Sequence, residues 1–231
     1  MKKFVVAFLM LTVLISLSYY VSATTDPGGA QIMDHGENSY VERTADSVDV
    51  HAGAIRNADL YAQMSTYRWA GLFGNVSGKI VLASGSGLSA DKMFEWAANG
   101  SIVFASEGNS INWISLRGAN ETEILSNYSF LGTGADNYNV TFIYNDTLET
   151  NTVAGGEIDA NYALTKDNET TDYWKTFALT DGNYIVFAGV VDSDGHPSYN
   201  GTLSQFQMIL PEDGTNGDVT ATAYNIWVEL V

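Results

Sequence analysis

The feature that most constrains this chain is a side-chain alternation of period two that returns along most of its length. It is cleanest at the end, where Tyr224, Ile226, Val228 and Leu230 share one face and Asn225 and Glu229 the other. Only an extended strand sorts side chains that way, because successive Cβ atoms point to opposite sides of a sheet. Ser204–Leu210 repeats the pattern with Phe206, Met208 and Leu210 inward. Asn183–Val191 follows the turn Thr180-Asp181-Gly182 and is nearly all apolar, as a central strand should be. Tyr67–Phe73 and Lys79–Ala83 flank Gly74–Gly78, a join that could close a hairpin. Shorter strands are expected at Ile102–Ala105, at Trp113–Leu116 and at Asn139–Tyr144.

Helical signals are few. Asp91–Ala98 has room for a turn or two, and Asn120-x-x-Glu123 is a capping box opening a short helix to Asn127. The expectation is therefore an all-β chain, a two-sheet antiparallel β-sandwich of jelly-roll or Ig-like type with one or two short helices.

Residues 1–23 set a different constraint. Lys2 and Lys3 precede the apolar run Phe4–Ile15, and Val21-Ser22-Ala23 ends it before a polar stretch. This is the layout of a secretory signal peptide. The alternative is a retained membrane anchor over residues 4–23, which are free of charge and long enough to span a bilayer. Either way the chain is expected to work outside the cell or on its surface.

Residues 24–46 are polar, contain Pro27-Gly28-Gly29 and lack periodicity, so they read as a flexible arm. Residues 47–231 read as one β-sandwich domain with no internal repeat or linker. It opens on Val48, Val50, Ala52 and Ala54, which alternate with Asp49, His51 and Gly53.

The charge balance removes one class of partner. The whole chain carries −17 at pH 7, and −19 once the two leader lysines are gone. Such a field repels nucleic acid and anionic lipid. With the leader set aside, membrane contact is not expected. The chain has no cysteine. Stability outside the cell must then come from the core, glycans, ions or assembly rather than from disulfides.

Eight Asn-x-Ser/Thr triplets occur, at Asn75, Asn99, Asn120, Asn127, Asn139, Asn145, Asn168 and Asn200. Export gives them access to N-glycosylation. They are candidate glycan sites on a surface glycoprotein.

No catalytic group stands out, and an enzyme is not expected. There is no Gly-x-Ser-x-Gly elbow, and the 27 acidic residues offer carboxylate pairs that spacing alone cannot select. His35, His51 and His196 lack a ligand spacing and read as solvent-facing. Calcium is the one cofactor considered, since hard oxygen ligands cluster at Asp192 and Asp194 and again at Asp213, Asn216 and Asp218. An EF-hand is excluded because its twelfth position falls at Leu203. Plain Asp/Gly turns explain the same residues. The five tryptophans could stack on sugars or fill a core.

The stretch Tyr67-Arg-Trp-Ala-Gly-Leu-Phe-Gly-Asn-Val-Ser-Gly-Lys-Ile-Val-Leu-Ala83, with Gln205–Pro211 and Tyr224–Leu230, resembles a family of exported archaeal β-sandwich surface proteins with no assigned activity. More loosely, leader, arm, β domain and dense sequons are similar to archaeal thread and bundling-pilus subunits. That resemblance implies that an N-terminal strand of one subunit completes the sheet of the next. Val48, Val50, Ala52 and Ala54 are the candidate donor face; the alternative is that they form the first strand of their own sandwich. The expected partners are other copies of the chain or other surface proteins. A carbohydrate-binding module, with calcium as a stabiliser, is the alternative function, and a secreted glycan-active enzyme the third.

Overall fold

The computed structural model describes residues 26–33, 36, 45, 47–82, 94–150, 156–165, 174–214 and 221–231. The fold is all-β. Its frame is an antiparallel eight-stranded sheet in the order β1 (Gly28–Gly29), β14 (Asn225–Leu230), β5 (Gly100–Ser106), β10 (Ile185–Val190), β9 (Trp174–Thr180), β8 (Glu157–Thr165) and β7 (Tyr144–Glu149). The eighth strand, β6 (Arg117–Gly118), also pairs with β9.

The central strands β5, β9 and β10 are apolar on both sides, so the sheet has a core on each face. One core holds Val103, Ala105, Ala178, Ile185 and Phe187; the other holds Ile102, Phe104, Phe177, Leu179, Val186 and Ala188. Burying both faces of β-branched and aromatic strands is what places β10 in mid-sheet.

The second layer of the sandwich is narrow. β2 (Trp69–Gly74) pairs with β13 (Phe206–Pro211) as a two-stranded ribbon, and β13 packs across β9 and β10. Phe206, Met208 and Leu210 point into the first core, as their alternation implies. Two short helices, α1 (Glu121–Asn127) and α2 (Tyr138–Thr141), contribute Ile124 and Tyr138 to the same core. Asn120 caps α1 by the expected reciprocal bonds: Glu123 N donates to Asn120 Oδ1 at 3.0 Å and Asn120 N to Glu123 Oε2 at 3.0 Å.

Several local expectations give way to tertiary context. Asn139–Tyr144 is not a strand: Asn137 caps α2 by accepting from Val140 N, and extended structure begins only at Tyr144. Trp113–Ser115 is a single 3-10 turn, with Trp113 lying edge-on to both Phe104 and Trp227 over the second core. Phe94–Ala98 is strand β4 instead of helix, paired with β3 (Gly78–Leu82). The join Gly74–Gly78 does not close a hairpin between its flanking strands: β2 pairs with β13 and β3 with β4, in separate sheets. Glu229, on the polar side of the last strand by pattern, is only 1% exposed and accepts from Ser101 Oγ at 2.9 Å.

The expected strand over Val48–Ala54 is absent. Residues 47–66 form no strand, and Val48, Val50, Ile55, Leu60, Tyr61 and Met64 are exposed. One local bond there closes a turn, Ala54 N donating to His51 O at 3.2 Å. A face of two valines and two alanines offers little area to bury, and no strand edge among the described residues pairs with it.

Candidate functional site

The part of the molecule that asks for a ligand is a pair of uncovered apolar elements. The first is the hairpin β3–β4. Its register sets Ile80 opposite Trp96 and Leu82 opposite Phe94, which puts four large apolar side chains on one face. They are 49, 53, 47 and 57% exposed in that order. Phe94 and Trp96 lie with ring centroids 6.2 Å apart and planes 29° apart. The opposite face carries Lys79, Val81, Glu95 and Ala97, where Lys79 Nζ donates to both Glu95 oxygens at 3.0 and 3.1 Å. Half-exposure of four such residues leaves roughly 400 Å² of apolar surface in one patch, the size that marks interaction sites. Its two formal charges cancel, on a chain whose total is −17.

A two-stranded sheet is marginal alone and gains stability from a third strand or a packed layer. Among the described residues neither outer edge of this hairpin is paired. At its base Gly78 meets Leu230 so closely that an added Cβ would lie 2.3 Å from Leu230 Cδ2.

The second element is the segment 47–66. It leaves the body at a fixed point, because Asp136 holds its end: Thr66 Oγ1 and Arg68 Nη1 donate to the carboxylate at 2.5 and 2.8 Å, and Trp69 Nε1 to the carbonyl at 2.7 Å. Burial pushes the Asp136 carboxyl up, but the bonds from Thr66 and Arg68 outweigh it and hold the group below its ordinary 3.8. Gly134 makes this clasp possible. Its φ is +97°, and a Cβ there would lie 1.6 Å from Arg68 Nη1.

The arm touches the sheet farther back. Gly28 and Gly29 pair with Val228 and Trp227, and Ala30 N donates to Ile226 O at 2.9 Å. Between the arm and β14 lies an open cavity of about 370 Å³, lined by Ile32, Asn109, Tyr224 and Trp227 among others. Among the described residues, β14 is paired along only part of its outer edge.

The candidate donor residues Val48, Val50, Ala52 and Ala54 fall in the uncovered segment. The candidate glycan acceptors Asn75, Asn99, Asn120, Asn127, Asn139, Asn145 and Asn200 are all exposed, and Asn168 lies outside the described residues.

Among the described residues, the calcium candidates Asp192, Asp194 and Asp213 are not gathered into a site. Both oxygens of Asp192 already have protein donors, Asp194 N at 3.0 Å and His196 Nε2 at 2.7 Å. These two, the backbone N–H foremost, draw its carboxyl below the ordinary value. Asp194 and Asp213 are exposed, while Asn216 and Asp218 lie outside the described residues. Among the described residues no three His, Asp or Glu side chains are placed to hold a metal ion. His196 is half-buried edge-on to Trp174, so it is not solvent-facing; His51 is exposed and His35 lies outside the described residues.

All five tryptophans are described, and Trp96 alone is exposed; Trp113 and Trp174 are buried, Trp69 and Trp227 half-buried. The core reading therefore holds for four of the five. The signal for the hairpin was present in the sequence, since Phe94, Trp96 and Ala98 alternate with Glu95 and Ala97.

Comparison of the chain with protein-family models, curated proteins and solved structures returns no match. Among the described residues no helix is long and apolar enough to cross a membrane, and the 4–23 leader lies outside them.

Proposed function

We propose that this chain is an exported cell-surface protein with a structural or adhesive role, which assembles with copies of itself. The observation that carries the reading is the coexistence of two unpaired complements on one chain. One is a hairpin with an exposed apolar face and, among the described residues, unpaired outer edges; the other is a twenty-residue segment whose large apolar side chains are exposed. A strand from residues 48–54 laid along an outer edge of the hairpin gives it three strands. It also sets a Val/Ala face beside Ile80, Leu82, Phe94 and Trp96. Cysteine-free stability outside the cell, the leader-like N-terminus, the dense exposed sequons and the resemblance to archaeal surface proteins and thread subunits support the same reading.

The molecule's own segment does not make this contact. In the proposed assembly the pairing is between chains, and the arm's short hold on β14 offers a second edge where a neighbour's strand could add.

Electron microscopy of the protein taken from its producing cell tests the proposal. Filaments or a lattice that lose order on deletion of residues 47–66 are expected. Dispersed particles, with and without the segment, would refute it.

A second reading rests on the stacked, exposed Phe94–Trp96 pair, which suits the apolar face of a sugar ring. It makes the chain a carbohydrate-binding module. Glycan-array binding that is lost on Trp96→Ala, by a protein that stays monomeric, would favour it.

A further inference from the structure

Seven exposed sequons are equal as motifs but not as geometry. We propose that Asn200 is the principal N-glycan acceptor of the folded protein, and that its turn is built for the transfer. This inference rests on the export reading above.

Asn200 sits at the tip between β11 (His196–Pro197) and β12 (Leu203–Ser204), which pair antiparallel. Ser198 N donates to Thr202 O at 2.8 Å and Tyr199 N to Gln207 Oε1 at 3.0 Å, so both sides of the tip are anchored. Within it, Thr202 N and Thr202 Oγ1 both donate to Asn200 Oδ1, at 3.1 and 2.7 Å. Ser198 Oγ lies 3.0 Å from the same oxygen and 3.1 Å from Thr202 O, and shares its one proton between them. The carboxamide oxygen is thereby saturated, and the amide plane is fixed. Asn200 Nδ2 has no partner among the described residues and belongs to an exposed side chain.

No other described sequon has this arrangement. Asn127 Nδ2 is spent on Glu123 O at 2.9 Å and Asn139 Nδ2 on Glu121 Oε1 at 2.6 Å, both on helices. Asn120 Oδ1 caps α1. The hydroxyls of Ser101, Thr141 and Thr147, which complete the sequons of Asn99, Asn139 and Asn145, turn to Glu229, Asp136 and Asp159. Among the described sequons, only at Asn200 does the sequon hydroxyl bond its own asparagine.

Competing chemistry at this Asn-Gly pair is held off as well. Cyclisation to a succinimide needs Gly201 N free to attack the carboxamide carbon, and that N–H instead donates to Ser198 O at 2.8 Å. Gly201 adopts φ +80°, which a residue with a Cβ rarely does.

The co-reactant is a sugar carried on a lipid phosphate or pyrophosphate, delivered by a membrane transferase. Asn200 Nδ2 attacks the anomeric carbon and a C–N bond forms. The C–O bond to phosphate breaks, the phosphate leaves with the electron pair, and the proton lost by the nitrogen passes to solvent.

Glycopeptide mass spectrometry of the protein from its producing cell tests this. The Asn200 peptide should carry sugar at the highest occupancy, with the Asn127 and Asn139 peptides largely bare. Gly201→Ala keeps Asn-x-Thr but disfavours the positive φ, so occupancy at Asn200 should fall about fivefold or more. Thr202→Ser, which keeps the hydroxyl, should retain it. Sugar on other asparagines with Asn200 bare, or full occupancy in Gly201→Ala, would overturn the inference and leave the export reading standing. No sugar on any asparagine would overturn it together with the glycoprotein reading.

Discussion

Replacing Trp96 by Thr separates assembly from folding. Thr keeps the strand preference of β4, so the change removes only the indole. With Trp96 53% exposed, roughly 120 Å² of its surface is open to a partner. At about 25 cal/mol per Å² that area is worth about 3 kcal/mol of association, an upper value because ordering the interface offsets part of it. An effect of about 1.5–3 kcal/mol weakens self-association about 10- to 100-fold. Exposed in the isolated chain, the same side chain supports little of the monomer fold, so the monomer's Tm should move by less than about 2 °C. Sedimentation equilibrium over a concentration series, paired with thermal unfolding of the dilute protein, reads both quantities. Unchanged association, or a monomer Tm lowered by many degrees, would refute the reasoning, the second because the face would then be covered within its own chain.

Asp136→Ala should destabilise the monomer by about 2–4 kcal/mol, because it strands Arg68, whose Nε is already buried with no partner among the described residues, and frees Thr66. The Asp136 carboxyl is held below its ordinary 3.8, so its contribution is complete above that pH and disappears as pH falls through the lower folded value. Acid unfolding of the wild type should steepen below about pH 4 and that component should vanish in Asp136→Asn. Asn120→Ala removes a helix cap and should cost about 1 kcal/mol, whereas Thr122→Ala destroys the same sequon, keeps the cap and should leave urea unfolding unchanged. Gly134→Ala should lower stability by about 2 kcal/mol or more, because its φ of +97° and the Arg68 guanidinium leave a methyl group no room.

The fold was readable where pattern and burial agree. β10 is apolar on both faces and sits mid-sheet, β13 turns Phe206, Met208 and Leu210 inward, and the Asn120/Glu123 box opens α1 as written. Period alone failed at residues 139–144, where Val140, Phe142 and Tyr144 alternate but Asn137 caps a helical turn first. It failed in the other direction at Phe94–Ala98, where alternation was present and a helix was expected. Pairing partners were not readable. β2 meets β13 across more than a hundred residues, and nothing local in Trp69–Gly74 distinguishes that partner from β3.

The uncovered surfaces were half visible. The sequence shows which side chains of 47–55 and of 78–98 are apolar, but not whether a partner lies within the chain. That depends on tertiary geometry, which leaves the hairpin face bare and residues 47–66 unpaired among the described residues. The calcium candidates illustrate the opposite limit. Composition pointed to oxygen ligands at Asp192, but it could not show that each of its oxygens has a protein partner, Asp194 N and His196 Nε2.

The most direct test of the central claim is the mass of the intact protein in solution, measured by light scattering across concentrations beside a variant lacking residues 47–66. The account predicts that the full chain grows into oligomers or fibres as concentration rises, while the deletion variant stays a folded monomer. A full chain that remains monomeric at every concentration would contradict it, as would a deletion variant that assembles just as well.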